Sequence, residues 1–252
     1  NVAVKFEKDG FVEAMPALSE KETQQCIDGM KRWEEKGRHQ CEKVGQFQMH
    51  HVWLGWLRRL AENPKILSAV SQVFSTDNIF LYSSVLYPLK TGFPPDEIKE
   101  SSSTAWTKDK DGAFARIGNA DRRHCVTAYV ALSTSDEIKG CFQVKPTRPA
   151  EKNPSDLTVD LKLNPGEFAL VGPSTPTCEH VGHTNEKVFY IALRYCRTST
   201  KDKKAKRVGK DSALLVSGED TYYNFEHVTP AAGEGSEAGL LLREKLLKSR
   251  LG

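Results

Sequence analysis

Six short segments between residues 79 and 195 are rich in β-branched and aromatic residues, and clusters of Gly, Pro, Asn and Ser separate them. The segments are Ile79 to Tyr87, Val126 to Leu132, Cys141 to Val144, Leu157 to Leu163, Phe168 to Val171 and Val188 to Tyr195. Short segments of this composition, bounded by turn residues, predict β-strands. Together the six segments form a pattern that is typical of an antiparallel sandwich or barrel.

Helices are predicted before the strands. Ser19 and Glu22 form a capping-box pair, which predicts the start of a helix whose apolar residues recur at helical spacing as far as residue 33. Residues 53–60 predict a second helix, and Pro64 suits the first turn of a third. The chain is therefore expected to be mainly β with flanking helices.

The C-terminal region changes character after Cys196. It first becomes basic and polar, and residues 231–239 are then mostly small side chains. Leu240 to Leu251 predict an amphipathic helix. We expect residues 1–198 to form the barrel with its N-terminal helices. Residues 199–252 are expected to form a basic loop and a tail whose helix docks on the same domain. A second subunit is the other docking partner that the sequence allows, which leaves a homodimer open.

Composition narrows the function classes. The 36 basic and 33 acidic residues leave a net charge of only +3, too small to predict a nucleic-acid partner. The lysine run from Lys201 to Lys210 is typical of a solvated loop. No stretch approaches the roughly 18 apolar residues of a membrane span. Six scattered cysteines without a CxxC pair indicate buried, reduced thiols. We therefore expect a soluble, cytoplasmic protein that does not bind membranes.

Several sequence blocks occur in the order and spacing of one known family. They are VTAYVAL at 126–132, GCFQVKP at 140–146, LNPGEFAL at 163–170 and IALRY at 191–195. Over residues 4–198 the chain resembles the phytanoyl-CoA dioxygenase family of non-haem oxygenases. The resemblance implies a double-stranded β-helix, a jelly-roll or cupin-like barrel. It also implies iron(II) and 2-oxoglutarate as cofactors and a small molecule as substrate.

The resemblance also implies a metal site made of two histidines and one carboxylate, a set that leaves coordination positions open for 2-oxoglutarate and dioxygen. The carboxylate is Asp109, and Thr107 stands at the position of the first histidine. The second histidine position falls on Thr177 when counted without gaps, or on His180 when Asn185 is matched to the family's "H-G-x-x-x-N" pattern. We expect Asp109 and His180 to be the metal ligands and, with Thr107, the catalytic residues.

The family binds 2-oxoglutarate through an arginine at the start of its last strand, a task that suits a guanidinium fork. That position falls at Val188, with Lys187 beside it and Arg194 six residues later. The cofactor-binding residues implied by the resemblance are therefore Lys187 and Arg194, together with Tyr82 and Thr127.

The residues leave three functions open. Asp109 and His180 would be the centre of an oxygenase with a reduced ligand set. Together with His124 they would instead be the acid and base of a metal-independent isomerase or cyclase. The third function is a non-catalytic binding protein, in which Asp109 belongs to an ordinary charged turn and no cofactor is needed.

Overall fold

The computed structural model describes residues 1–41, 48–90, 106–133, 142–147, 157–179 and 187–251. His180, His183 and Asn185 lie outside these ranges. The helices are α1 (Val2–Asp9), α2 (Glu20–Arg32), α3 (Gly55–Ala61), α4 (Pro64–Phe74), α5 (Ala205–Val208) and α6 (Glu237–Leu251). The strands are β1 (Phe11–Pro16), β2 (Ile79–Lys90), β3 (Cys125–Ala131), β4 (Phe142–Val144), β5 (Val159–Asp160), β6 (Glu167–Val171), β7 (Thr177–Glu179), β8 (Lys187–Arg197), β9 (Ser212–Ser217) and β10 (Glu226–His227).

Local sequence signals place two of the helix starts. The backbone N–H of Ser19 donates to the Glu22 carboxylate at 2.8 Å, and the Ser19 hydroxyl accepts from the Glu22 N–H at 3.3 Å. Pro64 opens α4, where the Asn63 side chain accepts from the Lys65 N–H at 2.9 Å. Both predicted starts are confirmed, because each cap satisfies N–H groups that have no partner within the helix.

The predicted helix over residues 53–60 starts later than expected. A 3₁₀ turn over His50–Val52 leads into α3, which begins at Gly55, so Trp53 and Leu54 precede the helix. The N-terminal elements α1 and β1 were not among the predicted segments. Gly10 joins them with φ 81°, and a side chain there would collide with the hydroxyls of Thr147 and Thr175.

Two sheets form the body of the protein. The large sheet has the strand order β1-β6-β3-β8-β2-β9-β10, and all its pairs are antiparallel except β9 with β10. The small sheet has the order β5-β4-β7 and is antiparallel throughout. The predicted mainly β class with flanking helices is confirmed. The predicted strand over residues 157–163 is reduced to β5.

Both faces of the large sheet are buried, so successive side chains on one strand enter different cores. The residues of β3 that pack with the helices are Val126, Ala128 and Val130. Tyr129 and Ala131 of β3 pack instead with Phe142 and Val144 of the small sheet. The interior between the two sheets is therefore lined by every second residue of β3 and of its neighbours.

The C-terminal region contacts the rest of the chain at several points. Strand β9 pairs with β2, and α6 buries Arg243, Leu246 and Leu247. In the basic run, the lysines are exposed, as expected, whereas Asp202 is buried and pairs with Arg116 at 2.6 Å.

Two further expectations concern the membrane and the cysteines. No helix among the described residues is long and apolar enough to cross a membrane. The cysteines within the described ranges are buried, as expected, and no disulfide bond joins any two of them; they are Cys26, Cys41, Cys125, Cys178 and Cys196.

Candidate functional site

Strand pairing brings two polar residues together on the interior face of the large sheet. Thr127 on β3 lies opposite Arg194 on β8, and Ser83 on β2 lies opposite Arg194 from the other side. Residues that are paired across antiparallel strands direct their side chains to the same face. Arg194 and Thr127 are 7% and 1% exposed. A buried guanidinium needs a charged partner at this position.

Asp109 is that partner. Nε and Nη2 of Arg194 donate to Oδ2 and Oδ1 of Asp109 at 3.2 and 3.1 Å, and the Thr127 hydroxyl donates to Oδ2 at 2.5 Å. Burial alone would lower the pKa of Arg194, but the negative charge of Asp109 outweighs burial and raises it. Arg194 therefore stays positively charged, and the pair is a two-point, charge-assisted contact.

The turn that carries Asp109 is held by a hydrogen bond within the turn region and by one to the loop after β6. The backbone carbonyl of Asp109 accepts from the Phe114 N–H at 2.7 Å, and the Lys110 N–H donates to the Pro173 carbonyl at 2.9 Å. Asp109 therefore lies in a charged turn, as one interpretation of the sequence has it. It is also compatible with a site residue, because the turn directs the Asp109 carboxylate into the interior.

Thr107 and Thr177 lie directly opposite each other at the edge of the small sheet. The Thr107 N–H donates to the Thr177 carbonyl at 2.9 Å, and the Thr177 N–H donates to the Thr107 carbonyl at 2.8 Å. Thr107 and Thr177 are the two positions that the gap-free alignment assigns to histidine ligands. They pair with each other, Thr107 lies two residues before Asp109 in the chain, and both carry neutral hydroxyls. His180, the alternative second ligand, lies outside the described residues.

The described residues do not fit an iron(II) site. Among the parts of the chain that the structure describes, no three His, Cys, Asp or Glu side chains converge to hold a metal ion. Threonine hydroxyls are poor iron ligands, and the Asp109 carboxylate is already neutralised by Arg194. A divalent cation next to Asp109 would also be repelled by that guanidinium at short range.

The position at which the family has its arginine is occupied by an apolar side chain. Val188 is 1% exposed and packs in the core between the sheets. The backbone of Lys187 pairs with Lys90, and its side chain lies outside the described part of the chain. The Arg194 side chain does point inward, but its guanidinium already donates two hydrogen bonds to Asp109.

Tyr82, the remaining expected cofactor-binding residue, is engaged elsewhere. Its hydroxyl donates to Asp211 at 2.6 Å, and the Arg250 guanidinium lies 4.1 Å from its ring centroid. Burial is the main reason why the pKa of Tyr82 is raised. Tyr82 thus belongs to a buried ionic cluster that connects α6 to the large sheet.

Sequence analysis missed several aromatic residues near the site. The Phe142 ring lies 4.4 Å from Tyr129 and 5.5 Å from Tyr190, centroid to centroid. At the sheet edge, the Lys145 ammonium lies 4.5 Å from the centroid of the Trp106 ring. Strand alternation could have assigned Tyr129 to the same face as Thr127, but nothing local links Lys145 to Trp106.

Comparison with known proteins identifies the fold. No protein-family model matches the chain, and no curated protein matches it. Among solved structures, the non-haem monooxygenase ThoJ in complex with nickel is 21% identical, covering 100% of this chain and 97% of its own, with a TM-score of 0.83. CytC3 with Fe(II) and alpha-ketoglutarate is 18% identical, covering 90% of this chain and 91% of its own, with a TM-score of 0.64. The non-haem alpha-ketoglutarate-dependent epimerase SnoN is 18% identical, covering 93% of this chain and 95% of its own, with a TM-score of 0.62. The chain therefore has the fold of these non-haem oxygenases.

Proposed function

We propose that this protein is a diverged relative of the phytanoyl-CoA dioxygenase family whose barrel binds a small molecule without iron(II) or 2-oxoglutarate. The observation that carries the proposal is the two-point contact between Arg194 and Asp109. The Arg194 guanidinium occupies the Asp109 carboxylate, which a metal ion would need as a ligand. Neutral Thr107 and Thr177, and apolar Val188, agree with a site released from redox chemistry.

A binding role suits the site better than acid–base catalysis as an isomerase or cyclase. Asp109 accepts two hydrogen bonds from Arg194 and one from Thr127. Both oxygens of Asp109 are therefore occupied by donors from the protein itself, whereas a general base must contact the proton that it removes from the substrate. The aromatic side chains between the two sheets would supply apolar contacts for a small molecule.

The proposal includes the finer features of the fold. The two facing sheets are consistent with a double-stranded β-helix, in which residues 1–198 form the barrel. Residues 199–252 would belong to the same domain, because β9 extends the large sheet and Arg250 reaches Asp211 at 3.0 Å.

An oxygenase centred on Asp109 and His180 is the second candidate. It is favoured by the names of the structural relatives, among which CytC3 was solved with Fe(II) and alpha-ketoglutarate. This function requires Arg194 to release Asp109 when iron binds, and it requires His180 to supply the second ligand.

An anaerobic titration of metal-stripped protein with iron(II) and 2-oxoglutarate distinguishes the two functions. We expect no visible charge-transfer band and no retained iron. A saturable band that disappears in Asp109→Ala and His180→Ala would overturn the proposal in favour of the oxygenase.

The binding role is tested separately through Trp106, which is partly exposed beside the site, whereas Trp33, Trp53 and Trp56 are buried. A small molecule that binds in the barrel should change the fluorescence of the wild type and leave that of Trp106→Phe unchanged. A screen in which every ligand that raises the melting temperature gives the same fluorescence response in both proteins would contradict binding at this site.

A further inference from the structure

The positive charge of this protein is concentrated in the basic loop, residues 201–210. Its exposed cationic side chains are Lys201, Lys203, Lys204, Lys206, Arg207 and Lys210. Their combined charge exceeds the net charge of +3, so the rest of the chain is slightly acidic. None of these side chains has an ion-pair partner in the described part of the chain. Asp202, the acidic residue of the loop, is buried against Arg116.

Asp202 holds the basic loop in a fixed position. Its carboxylate accepts from Nη2 of Arg116 at 2.6 Å and from the backbone N–H groups of Lys204 and Asp211, each at 2.9 Å. The Lys203 N–H donates to the Arg116 carbonyl at 2.7 Å. Solvation of lysines does not require a fixed backbone, whereas a fixed arrangement of cations lowers the entropy cost of binding a partner.

The segment between β9 and β10 lies beside the basic loop. The side-chain amide of Asn224 donates to the carbonyl of Ser199, just before the loop, at 3.4 Å. The Glu226 N–H donates to the carbonyl of Asp211, just after the loop, at 2.9 Å. This segment is therefore attached to the chain at both ends of the basic loop.

Two exposed tyrosines belong to this segment. Tyr222 and Tyr223 are 56% and 66% exposed, and Val208 in the basic loop is 51% exposed. The buried Asp220 carboxylate accepts from the N–H groups of both tyrosines, at 3.0 and 3.1 Å. It supports Tyr223 at φ 52°, a conformation that bulky residues rarely adopt. Tyrosine is enriched at protein interfaces, because its ring supplies apolar contact and its hydroxyl a hydrogen bond.

The distribution of charge decides which class of partner fits. Duplex DNA carries one negative charge per roughly 1.7 Å of its axis, and an anionic membrane is charged over its whole surface. Either would extend past the basic loop to the slightly acidic remainder of the protein, which would repel it within about 8–10 Å. An acidic patch on a protein is compact, and one interface can combine charged pairs with aromatic contacts.

We propose that the basic loop, together with Tyr222 and Tyr223, is the docking surface for a partner protein. The partner presents a compact patch of carboxylates with apolar side chains among them. The carboxylates pair with the lysines and Arg207, and the apolar side chains pack against the two tyrosines and Val208. This surface is independent of small-molecule binding at Asp109.

Two labelled acidic peptides serve as probes for the intact protein in fluorescence anisotropy. One contains only glutamate, and the other contains the same number of glutamates with leucines between them. We expect saturable binding of both peptides that weakens as salt is added. The leucine-containing peptide should bind more tightly, because only this peptide can pack against the tyrosines. If neither peptide saturates, or if both bind equally well, the proposal is overturned.

A matched pair of lysine variants separates this surface from general attraction to positive charge. Lys206→Gln/Lys210→Gln should weaken the binding of both peptides about tenfold, since it removes two exposed charge pairs. Lys31→Gln/Lys36→Gln removes the same charge from exposed lysines in and after α2. It should leave both affinities unchanged within about twofold. Equal losses in the two double variants would contradict docking at the basic loop.

The tyrosines and the class of partner are tested with the same peptides. Tyr222→Ser/Tyr223→Asn should weaken the leucine-containing peptide about fivefold and the all-glutamate peptide less than about twofold. Asparagine is chosen because it tolerates the positive φ of Tyr223. A DNA duplex and vesicles of phosphatidylserine in phosphatidylcholine should bind more weakly than the leucine-containing peptide. Tighter binding of either would overturn the proposal in favour of a nucleic acid or a membrane.

Discussion

The guanidinium of Arg194 meets the carboxylate of Asp109 at two points, with Nη2 3.1 Å from Oδ1 and Nε 3.2 Å from Oδ2. This contact connects β8 with a turn 85 residues earlier in the chain. It also determines the charge at the site, because the carboxylate that the family resemblance assigns to iron is neutralised by the protein itself.

Removal of Arg194 should destabilise the fold. Arg194→Leu leaves Asp109 partly buried without its cation, and we expect a loss of about 3 kcal/mol in the free energy of unfolding. The double variant Asp109→Asn/Arg194→Leu should lose less than the sum of the single variants, by about 0.5–3 kcal/mol. Urea denaturation measures both, with exposed Arg123→Leu as the control. Additive single effects would show that the two residues do not interact.

Metal binding should be gained by restoring the missing ligands. Thr107→His with Thr177→His places two imidazoles beside Asp109, and cobalt(II) absorption reports coordination without oxygen chemistry. We expect weak binding while Arg194 holds Asp109, and about tenfold tighter binding once Arg194→Leu is added. Thr107→Ala/Thr177→Ala/Arg194→Leu is the matched control.

The same series decides between the two alignments of the second ligand. If Thr107→His alone gains full cobalt affinity, His180 supplies the second histidine. If Thr177→His is also required, the gap-free alignment is correct.

His51 should make stability depend on pH. Burial, and secondarily Arg250, lower its folded-state pKa from 6.5 to about 3, so below pH 6.5 the unfolded chain binds a proton that the folded chain does not. The contribution to stability is complete above pH 6.5 and falls by about 1.4 kcal/mol per pH unit towards pH 3. His51→Gln should show a correspondingly shallower fall between pH 6.5 and 4 in urea denaturation. Equal slopes in the two proteins would contradict this assignment.

Arg250 should anchor the C-terminal helix. It donates to Asp211 at 3.0 Å and to the Ser212 carbonyl at 2.6 Å, and it stacks on the Tyr82 ring. Arg250→Ala should cost about 3 kcal/mol in the free energy of unfolding, because Asp211 stays buried with less compensation. Arg250→Lys should cost less, since it retains the charge but loses the planar fork.

The control for Arg250 is Lys245→Ala on the exposed side of the same helix, which should change stability by less than about 0.5 kcal/mol. A similar loss in both variants would indicate that helix propensity, rather than the Arg250 contacts, supports α6.

Much of the architecture follows from local patterns. The β-branched segments around Thr127 and Arg194 became β3 and β8, and the Ser19 cap became the start of α2, because alternation and capping act over a few residues. Strand β7 was missed because Thr177, Cys178 and Glu179 lack the aromatic and β-branched apolar residues that mark the equally short β4. Strand β9 was missed because it follows a basic, polar run.

The site depended on the tertiary structure. From the sequence alone, Asp109, Thr127 and Arg194 could be named as polar residues with a family role, and Thr107 and Thr177 as departures from histidine. Only strand pairing could set Thr127 opposite Arg194 and bring the turn of Asp109 onto both. Local sequence determines helices, strands and the face that each residue takes. Contacts between distant segments depend on how the two sheets pack, and packing is a property of the whole chain.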